Sequence, residues 1–187
     1  DPALDREAAL INRRIPASKE FIANNYINKT IYNPIKKEIG IVAVGKAATE
    51  TIDAFDTIGI VSPEQKGIGI FACKVPWPLI NHEIIEFCRG YKEIVVIEEK
   101  AAIVEEQIAH ILFNDKKRPL LSVKIDAVSN EPLIPKTSEL SSDIIADCLL
   151  KKLPPHVTQN DVPEVKSVSL GDNLPPVSTR TPWYCAG

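Results

Sequence analysis

The stretch Gly40–Thr51, GIVAVGKAATET, has the residue types of a phosphate-binding loop at nearly the right spacing. Gly40, Gly45 and Lys46 fit the pattern G-x-x-x-x-G-K, but Ala47 stands where a Ser or Thr hydroxyl would hold a metal ion. The residues between the two glycines are Ile, Val, Ala and Val, which favour a buried strand whose N–H groups bond to neighbouring strands and not to phosphate. We therefore predict a strand that ends at Gly45, then a helix from Lys46 whose N-terminus could hold an anion only weakly.

The segment IEEKAAIVEEQ concentrates carboxylates after another predicted strand. Glu98 and Glu99 follow that strand at its carboxyl end, the edge of an open α/β sheet where ligands and partners bind. Lys100 can neutralise one of them, and Glu105 and Glu106 recur about two turns along the next predicted helix. Three interpretations are open: a catalytic carboxylate pair, an ion-paired interface with another domain, or a solvated surface. We favour the interface.

Two further residues belong to this expected interface. Trp77 lies between two prolines in KVPWPL, where a rigid backbone would present a large aromatic surface to a partner. Packing of Trp77 onto the following helix is the alternative interpretation. Gln107 is the last residue of the acidic segment and is included with it. The expected interface comprises Trp77, Glu98, Glu99, Lys100, Glu105 and Gln107.

Cysteine and histidine residues give little evidence for a metal site. Cys185 lies in WYCAG, and C-A-G could be the first half of a C-x-x-C motif, a spacing that serves metals and iron–sulfur clusters. The histidines have no spacing typical of metal ligands, and we expect His82 and His110 to be exposed on helices. The other cysteines should be buried, reduced thiols, which suits a cytoplasmic protein; they are Cys73, Cys88 and Cys148.

Composition excludes several classes of protein. The chain has 187 residues, of which 44% are hydrophobic and 25% charged, as in ordinary globular domains. Its formal net charge of -3 argues against a nucleic-acid surface. No run approaches the roughly 18 apolar residues of a membrane span, and no signal peptide is visible. The chain contains no Met, and we interpret it as a piece of a longer protein.

Apolar runs rich in β-branched residues alternate with helical periodicity over residues 36–153. Such alternation predicts an α/β fold with a largely parallel sheet that is covered by helices on both faces. The segment TIYN near residue 31 could add an edge strand that runs antiparallel. The order of the elements thus predicts a single domain over these residues.

The flanking segments are of a different kind. Residues 1–35 predict a helical lead-in, with Ile15, Phe21, Ile22 and Tyr26 on one apolar face. Residues 154–187 are rich in Pro, Val and Ser without helical periodicity, which predicts an extended linker toward a missing domain.

Several motifs, in order along nearly the whole chain, resemble indolepyruvate:ferredoxin oxidoreductases of the long fused bacterial form. RRIPASKEFIANN is similar to R-R-L-P-A-x-x-x-F-x-x-x-N of that family, and GIVAVGKAATETIDAFDTIGI to its G-I-V-x-x-G-K-x-Y block. VVIEEKAAIVEEQ resembles V-V-x-E-E-K-x-x-x-V-E-x-Q, and TPWYCAG resembles the segment P-[FY]-x-C-x-G-C-P-H-N. The chain departs from the family at Ala47, at Ala101 and in the shortened KVPWPL, which puts a local ligand role of those positions in doubt.

This resemblance implies a domain like the transketolase C-terminal domain, with three layers, α/β/α, around a mainly parallel five-stranded sheet. It also implies that the domain is part of an enzyme that uses thiamine diphosphate, Mg²⁺ and a [4Fe–4S] cluster. The parent enzyme would oxidatively decarboxylate a 2-oxoacid, transfer the acyl group to coenzyme A and pass electrons to ferredoxin. The thiamine-binding halves would lie before and after this chain, and Cys185 would ligate a cluster only in the intact protein. We therefore expect an inactive, structural middle domain that contacts neighbouring domains and subunits; the alternative is a free-standing module that binds a small anion or nucleotide.

Overall fold

A computed structural model describes residues 1–158 of the chain. It contains a single five-stranded sheet in the order β1-β3-β2-β4-β5. The strands β2, β3, β4 and β5 are parallel, and β1 pairs with β3 in the antiparallel direction. The bounds are Lys29–Tyr32 (β1), Ile39–Val44 (β2), Ile68–Cys73 (β3), Glu93–Ile97 (β4) and Leu120–Ser122 (β5). The predicted sheet, including its antiparallel edge strand, is confirmed.

The helices occupy both faces of this sheet. A π-helix, Leu10–Arg14, joins the first two α-helices, and a short 3-10 helix, Pro63–Lys66, precedes β3. The α-helices are Pro2–Ala9 (α1), Ile15–Asn24 (α2), Ala47–Thr57 (α3), Asn81–Cys88 (α4), Ile103–Leu112 (α5), Ser142–Lys152 (α6) and Pro155–Thr158 (α7). No helix in the described part of the chain combines the length and the apolar character that a membrane span requires.

Alternating residues of the central strands build two hydrophobic cores. Ile41 of β2 points toward α3 and α6, whereas Val42, the next residue, points toward α4 and α5. The same alternation holds in β4, where Val95 and Val96 belong to opposite cores. Because both faces of these strands are covered, their sequences are apolar throughout. The three-layer α/β/α arrangement expected from the sequence is confirmed.

The side chain of Tyr91 packs so close to the sheet that position 69 requires a glycine. The ring of Tyr91 is buried against β2 and β3, and a Cβ atom on Gly69 would lie 1.8 Å from the Tyr91 hydroxyl oxygen. That hydroxyl has no hydrogen-bond partner among the described residues. Burial raises the pKa of Tyr91. Gly69 therefore makes room for the Tyr91 side chain.

The N-terminal lead-in differs from the sequence expectation. Helices α1 and α2 are continuous, because the π-helix connects them just before Pro16, whose missing N–H cannot complete the regular α-helical bonding. The predicted apolar face is largely open to solvent. Only Ile22 of that face is buried, at 4% exposure, whereas Phe21 and Tyr26 are 62% and 79% exposed.

The hydrophobic core continues beyond residue 153, where the sequence analysis ended the domain. Val157 in α7 is buried in the same core as α3 and α6, and its carbonyl accepts a hydrogen bond from Lys66 Nζ at 3.4 Å. The Pro-rich segment therefore begins with a short packed helix. Its remaining residues, 159–187, include Cys185 and lie outside the described residues.

Candidate functional site

The carboxyl ends of the parallel strands bring the predicted interface residues to one edge of the sheet. Trp77 follows β3, while Glu98, Glu99 and Lys100 follow β4 directly. Glu105 and Gln107 lie in the first turns of α5, which begins at Ile103. Glu105 is therefore in the first turn of the helix and not about two turns along it, as the sequence analysis placed it. The arrangement is typical of α/β folds, because the loops that follow parallel strands all lie at the carboxyl edge of the sheet.

Glu98 is a buried residue whose carboxylate caps the N-terminus of α5. Its side chain is only 3% exposed, and its carboxylate accepts hydrogen bonds from Val104 N at 2.9 and 3.0 Å and from Glu105 N at 3.2 Å. The first N–H groups of a helix have no partner within the helix, and the helix dipole favours a negative charge there. Ala102, at the N-cap position, has no side chain that could serve. Glu98 therefore supplies the cap from the end of the preceding strand.

Lys124 was not identified from the sequence. Its side chain is 5% exposed, and its Nζ atom donates to the backbone carbonyl of Glu98 and to that of Pro135, the latter at 3.5 Å. Burial lowers the pKa of Lys124, while the charge of Glu98 acts in the opposite direction. The residue joins the segment after β5 to the end of β4. Its only sequence signal is a lone lysine within the apolar run LLSVKI.

Glu99 and Lys100 lie at the surface of the same edge. The Glu99 carboxylate accepts a hydrogen bond from Leu140 N at 3.0 Å, which lowers the pKa of Glu99 below its usual value. Lys100 Nζ lies 3.5 Å from Glu99 Oε1, and the Lys100 side chain is 63% exposed. Both residues line an open cavity of about 710 Å³ together with Lys46 and Glu139. Glu99 and Lys100 are thus exposed charged residues at the carboxyl edge of the sheet.

Lys46 completes the geometry of the stretch that resembles a phosphate loop. Gly45 has a φ of 57°, and its N–H donates to the carbonyl of Cys73 at 2.8 Å, so β2 ends in a tight turn. Lys46 Nζ is paired with Glu139 at 2.5 Å and with Glu50 at 3.3 Å. The backbone between the two glycines is committed to the sheet, and the lysine to carboxylates. This arrangement does not support the small-anion or nucleotide alternative.

Gln107 attaches the corner between β3 and α4 to α5, in addition to the hydrogen bonds that Asn28 makes to the same corner. Gln107 accepts a hydrogen bond from Leu79 N at 3.0 Å through Oε1, and donates from Nε2 to Pro76 O at 2.7 Å and to Ile103 O at 2.9 Å. The backbone on both sides of Trp77 is thus attached to α5. The indole is 56% exposed and lines an open groove of about 460 Å³ beside α2. Trp77 therefore points outward and does not lie buried against the following helix.

Glu105 is the least satisfied of the predicted residues. Its Oε2 atom is buried and has no hydrogen-bond partner among residues 1–158. Burial, with a further contribution from the negative charge of Glu98, raises the pKa of Glu105. The two carboxylates do not form a catalytic pair with one free base, because both oxygens of Glu98 are engaged by backbone N–H groups.

The potential metal ligands of residues 1–158 do not cluster. No group of three or more His, Cys, Asp or Glu residues in that part of the chain could hold a metal ion. The thiols there are free and buried, as predicted, and burial raises the pKa of each to about 12; they are Cys73, Cys88 and Cys148. His82 and His110 are exposed on α4 and α5, as predicted.

Comparison with known proteins gives one family match. Residues 29–170 match the model of the indolepyruvate oxidoreductase domain. The chain is 22% identical over 161 residues to the indolepyruvate oxidoreductase subunit IorA of Methanothermobacter marburgensis, an alignment that covers 86% of this chain and 23% of that protein. The chain thus spans about a quarter of the length of that relative.

The solved structures that resemble this chain over most of its length include the following two. A split-gene transketolase, described as an inactive beta4 tetramer, gives a TM-score of 0.44 at 19% identity, covering 70% of this chain and 42% of that one. The 2-oxoglutarate:ferredoxin oxidoreductase from Magnetococcus marinus also gives 0.44, at 14% identity, covering 77% of this chain and 24% of that one.

Proposed function

Because this chain belongs to the indolepyruvate oxidoreductase domain family, we propose that it is a structural middle domain of a 2-oxoacid:ferredoxin oxidoreductase. Its task is to support the neighbouring domains that carry the chemistry. The parent enzyme would decarboxylate an arylpyruvate such as indolepyruvate, with coenzyme A and ferredoxin as co-substrates, and it would act in the cytoplasm. The relative that matches over most of this chain is an indolepyruvate oxidoreductase subunit about four times as long as the aligned segment.

The proposal rests on a difference between side chains at the carboxyl edge of the sheet: some bond within the domain, and others are exposed. Glu98 and Gln107 form hydrogen bonds within the domain. Glu98 bonds to the start of α5, and Gln107 bonds to the corner before α4. Trp77, Glu99 and Lys100 remain exposed on the framework that results. An exposed tryptophan beside charged residues on a rigid backbone is typical of a docking surface.

The described residues do not fit thiamine diphosphate with its Mg²⁺. A diphosphate needs N–H groups that converge on it and a metal needs a set of oxygen ligands. The N–H groups of β2 are in the sheet, Lys46 is paired with two carboxylates, and no candidate metal cluster is found among residues 1–158. We therefore derive no catalytic step from this chain; within the proposal, the cofactor is bound by other domains of the parent enzyme, and Cys185 ligates its iron–sulfur cluster.

The test is a comparison of variants in the full-length parent enzyme. Trp77→Ala and Lys100→Glu should each lower the turnover of indolepyruvate, measured as reduction of ferredoxin in the presence of coenzyme A, by about tenfold if each residue is a contact hot spot. Phe113→Ala is the matched control, because Phe113 is 69% exposed at the other end of α5. Turnover of Trp77→Ala equal to that of the control would contradict the proposal. Binding of ATP with Mg²⁺ near Lys46 by the 187-residue chain would also contradict it.

A further inference from the structure

We propose that residues 162–170 of this chain bind along the free edge of the sheet, in the groove between β1 and α4. These residues follow the part of the chain that the structure describes, and the family match, residues 29–170, ends with them. The contact is a property of the domain itself. It goes beyond the function proposed above, because it needs neither a cofactor nor the parent enzyme.

The groove borders β1 from one end to the other. Its volume is about 610 Å³, and its lining extends from Asn28, just before β1, to Ile35, just after it. Phe71 of β3 and Phe87 of α4 contribute an apolar surface, since their rings pack together with centroids 5.5 Å apart. An open, partly apolar groove of this size accepts several side chains of an extended segment.

Two large side chains of the groove are left uncovered by residues 1–158. Tyr26 is 79% exposed, and Ile35 is fully exposed. Single exposed apolar residues are common on proteins, but these two line the same groove as the buried aromatic pair. A segment that covers them removes apolar surface from water, which favours binding.

The wall of the groove also contains a carboxylate oxygen without a donor. Oε2 of Glu83, in α4, is buried and has no hydrogen-bond partner among the described residues. A buried acceptor that lacks a donor lowers the stability of the fold. Residues 162–170 contain three side chains that can donate to it, namely Lys166, Ser167 and Ser169.

The described chain ends close to one end of this groove. The carbonyl of Val157 accepts a hydrogen bond from Lys66 Nζ at 3.4 Å, at the end of the short 3-10 helix. Glu64, in the same 3-10 helix, accepts a hydrogen bond from Asn33 N at 2.9 Å, and Asn33 lines the groove. The four residues from 158 to 162 span at most about 14 Å. The chain therefore enters the groove at the end of β1.

This entry point sets the direction of the bound segment. β1 runs from the carboxyl edge of the sheet to the amino edge, because it is antiparallel to β3. The segment thus runs antiparallel to β1, toward Asn28. The amide oxygen of Asn28 accepts hydrogen bonds from the N–H groups of Lys74 and Val75, both at 2.8 Å, at the corner that leads to Trp77. The bound segment brings the chain from the amino edge to the edge proposed for docking.

The order of charges in the segment fits this direction. Helix α4 begins after β3 and ends before β4, so Glu86 is nearer than Glu83 to the amino edge. Lys37 lies at that end of the groove as well, where its Nζ atom donates to the carbonyls of Phe87 and Arg89. Along the segment an acidic residue comes first and a basic one second. Complementary charges of this kind fix the register of a bound chain.

In this register Glu164 lies beside Lys37, and Lys166 lies beside Glu86. The contact is made by side chains and not by a sixth strand. β1 has only four residues and contains a bulge between Thr30 and Tyr32, and both features disfavour extension of a sheet. The apolar side chains of the segment are Val165, Val168 and Leu170.

The rate at which a surface thiol is labelled tests the proposal in the 187-residue chain. Ile35→Cys places a thiol in the groove, Cys185→Ser removes the thiol of the terminal segment, and the other thiols are buried. Val168→Asp introduces a charge into the apolar contact and should make labelling about tenfold faster. Lys166→Glu should make it about threefold faster, and Glu86→Lys in the same chain should restore the original rate within about twofold.

The matched control is Val177→Asp, the same substitution beyond the family match, which should leave labelling unchanged within about twofold. A second thiol, from Leu120→Cys, lies on β5 at the other edge of the sheet and should label at the same rate with and without Val168→Asp.

Three results overturn the proposal. The first is a labelling rate of the groove thiol that Val168→Asp does not change. The second is protection that disappears on dilution, because the segment of a second copy would then occupy the groove. The third is protection of the Leu120→Cys thiol that Val168→Asp abolishes, because the segment would then bind at β5.

Discussion

The carboxylate of Glu98 accepts two hydrogen bonds from the backbone N–H of Val104, at 2.9 and 3.0 Å, across the turn from β4 to α5. A buried side chain at the end of a strand thus begins the next helix. Many helices are capped by the residue directly before them, and here the capping group comes from four residues before the N-cap position.

This relationship predicts that Glu98→Ala destabilises the fold by about 2 kcal/mol, because two buried N–H groups lose their acceptor. Urea unfolding of the 187-residue chain measures the change. Glu106→Ala is the control: Glu106 lies exposed in the same first turn and should change the free energy of unfolding by less than about 0.5 kcal/mol. Equal stability of Glu98→Ala and the original chain would show that water replaces the carboxylate at no cost.

Substitutions of Tyr91 and of Gly69 should change the free energy of unfolding in opposite directions. Tyr91→Phe should be neutral or stabilise the fold by up to about 1 kcal/mol, because it removes a buried hydroxyl that has no partner among the described residues. Gly69→Ala should destabilise by about 2 kcal/mol or more, since the new Cβ atom would overlap the tyrosine hydroxyl. In the double variant the hydroxyl is gone, and part of the loss should be recovered. A double variant as unstable as Gly69→Ala would mean that the ring carbons, and not the hydroxyl, cause the overlap.

The contact between Asp126 and Lys152 predicts how the free energy of unfolding depends on pH. Lys152 Nζ lies 2.8 Å from Asp126 Oδ2, and this contact, with two backbone hydrogen bonds, lowers the pKa of Asp126 to about 2. A carboxyl with a lowered pKa in the fold binds its proton more readily when unfolded. Its contribution of roughly 1–2 kcal/mol is therefore complete above about pH 4 and is lost as the pH falls toward 2.

The variant Asp126→Asn isolates this term, because the amide oxygen can still accept from the N–H groups of Val128 and Ser129. Free energies of unfolding measured from pH 6 to pH 2 should fall less steeply for the variant than for the original chain. Parallel curves would show that other carboxylates, and not Asp126, cause the acid dependence.

Gln107 predicts a change that tryptophan fluorescence can follow. Gln107→Leu removes the hydrogen bonds to Leu79 N and Pro76 O, which should cost about 1–3 kcal/mol and loosen the corner around Trp77. In a Trp183→Phe background Trp77 is the only tryptophan, so quenching by acrylamide reports on it directly. Quenching should become faster in Gln107→Leu than in Lys116→Ala, an exposed control beyond the end of α5. Identical quenching would mean that the prolines and the hydrogen bonds from Asn28 hold the corner without Gln107.

Periodicity and spacing were sufficient to predict the sheet. The apolar run from Ile39 to Val44 and the glycine after it have a local cause, since a doubly covered strand must be apolar and a tight turn with positive φ favours glycine. The buried cysteines could be predicted because they lie in apolar segments. The antiparallel edge strand was predicted from the short segment TIYN, although β1 is mostly exposed. The interpretation of the G-x-x-x-x-G-K stretch as a strand and a turn follows from these local rules as well.

The roles of side chains at the sheet edge could not be predicted in the same way. Both Glu98 and Glu99 are acidic residues after a strand, yet Glu98 is buried under α5 and Glu99 faces solvent. The difference depends on the direction in which the chain leaves the sheet. Lys124 depends on a carbonyl 26 residues away, and the packing of Val157 depends on a core assembled from α3 and α6. Long-range contacts of this kind leave no periodic signal.

Gln107 belongs to α5, yet its side chain bonds to the backbone before and after Trp77. The main chain around the indole is therefore already ordered in the isolated domain. Ordering a loop on association costs conformational entropy, and this cost is avoided when the loop is fixed beforehand. A protein surface that binds Trp77 would meet a preorganised site, so more of the contact free energy would remain available as affinity.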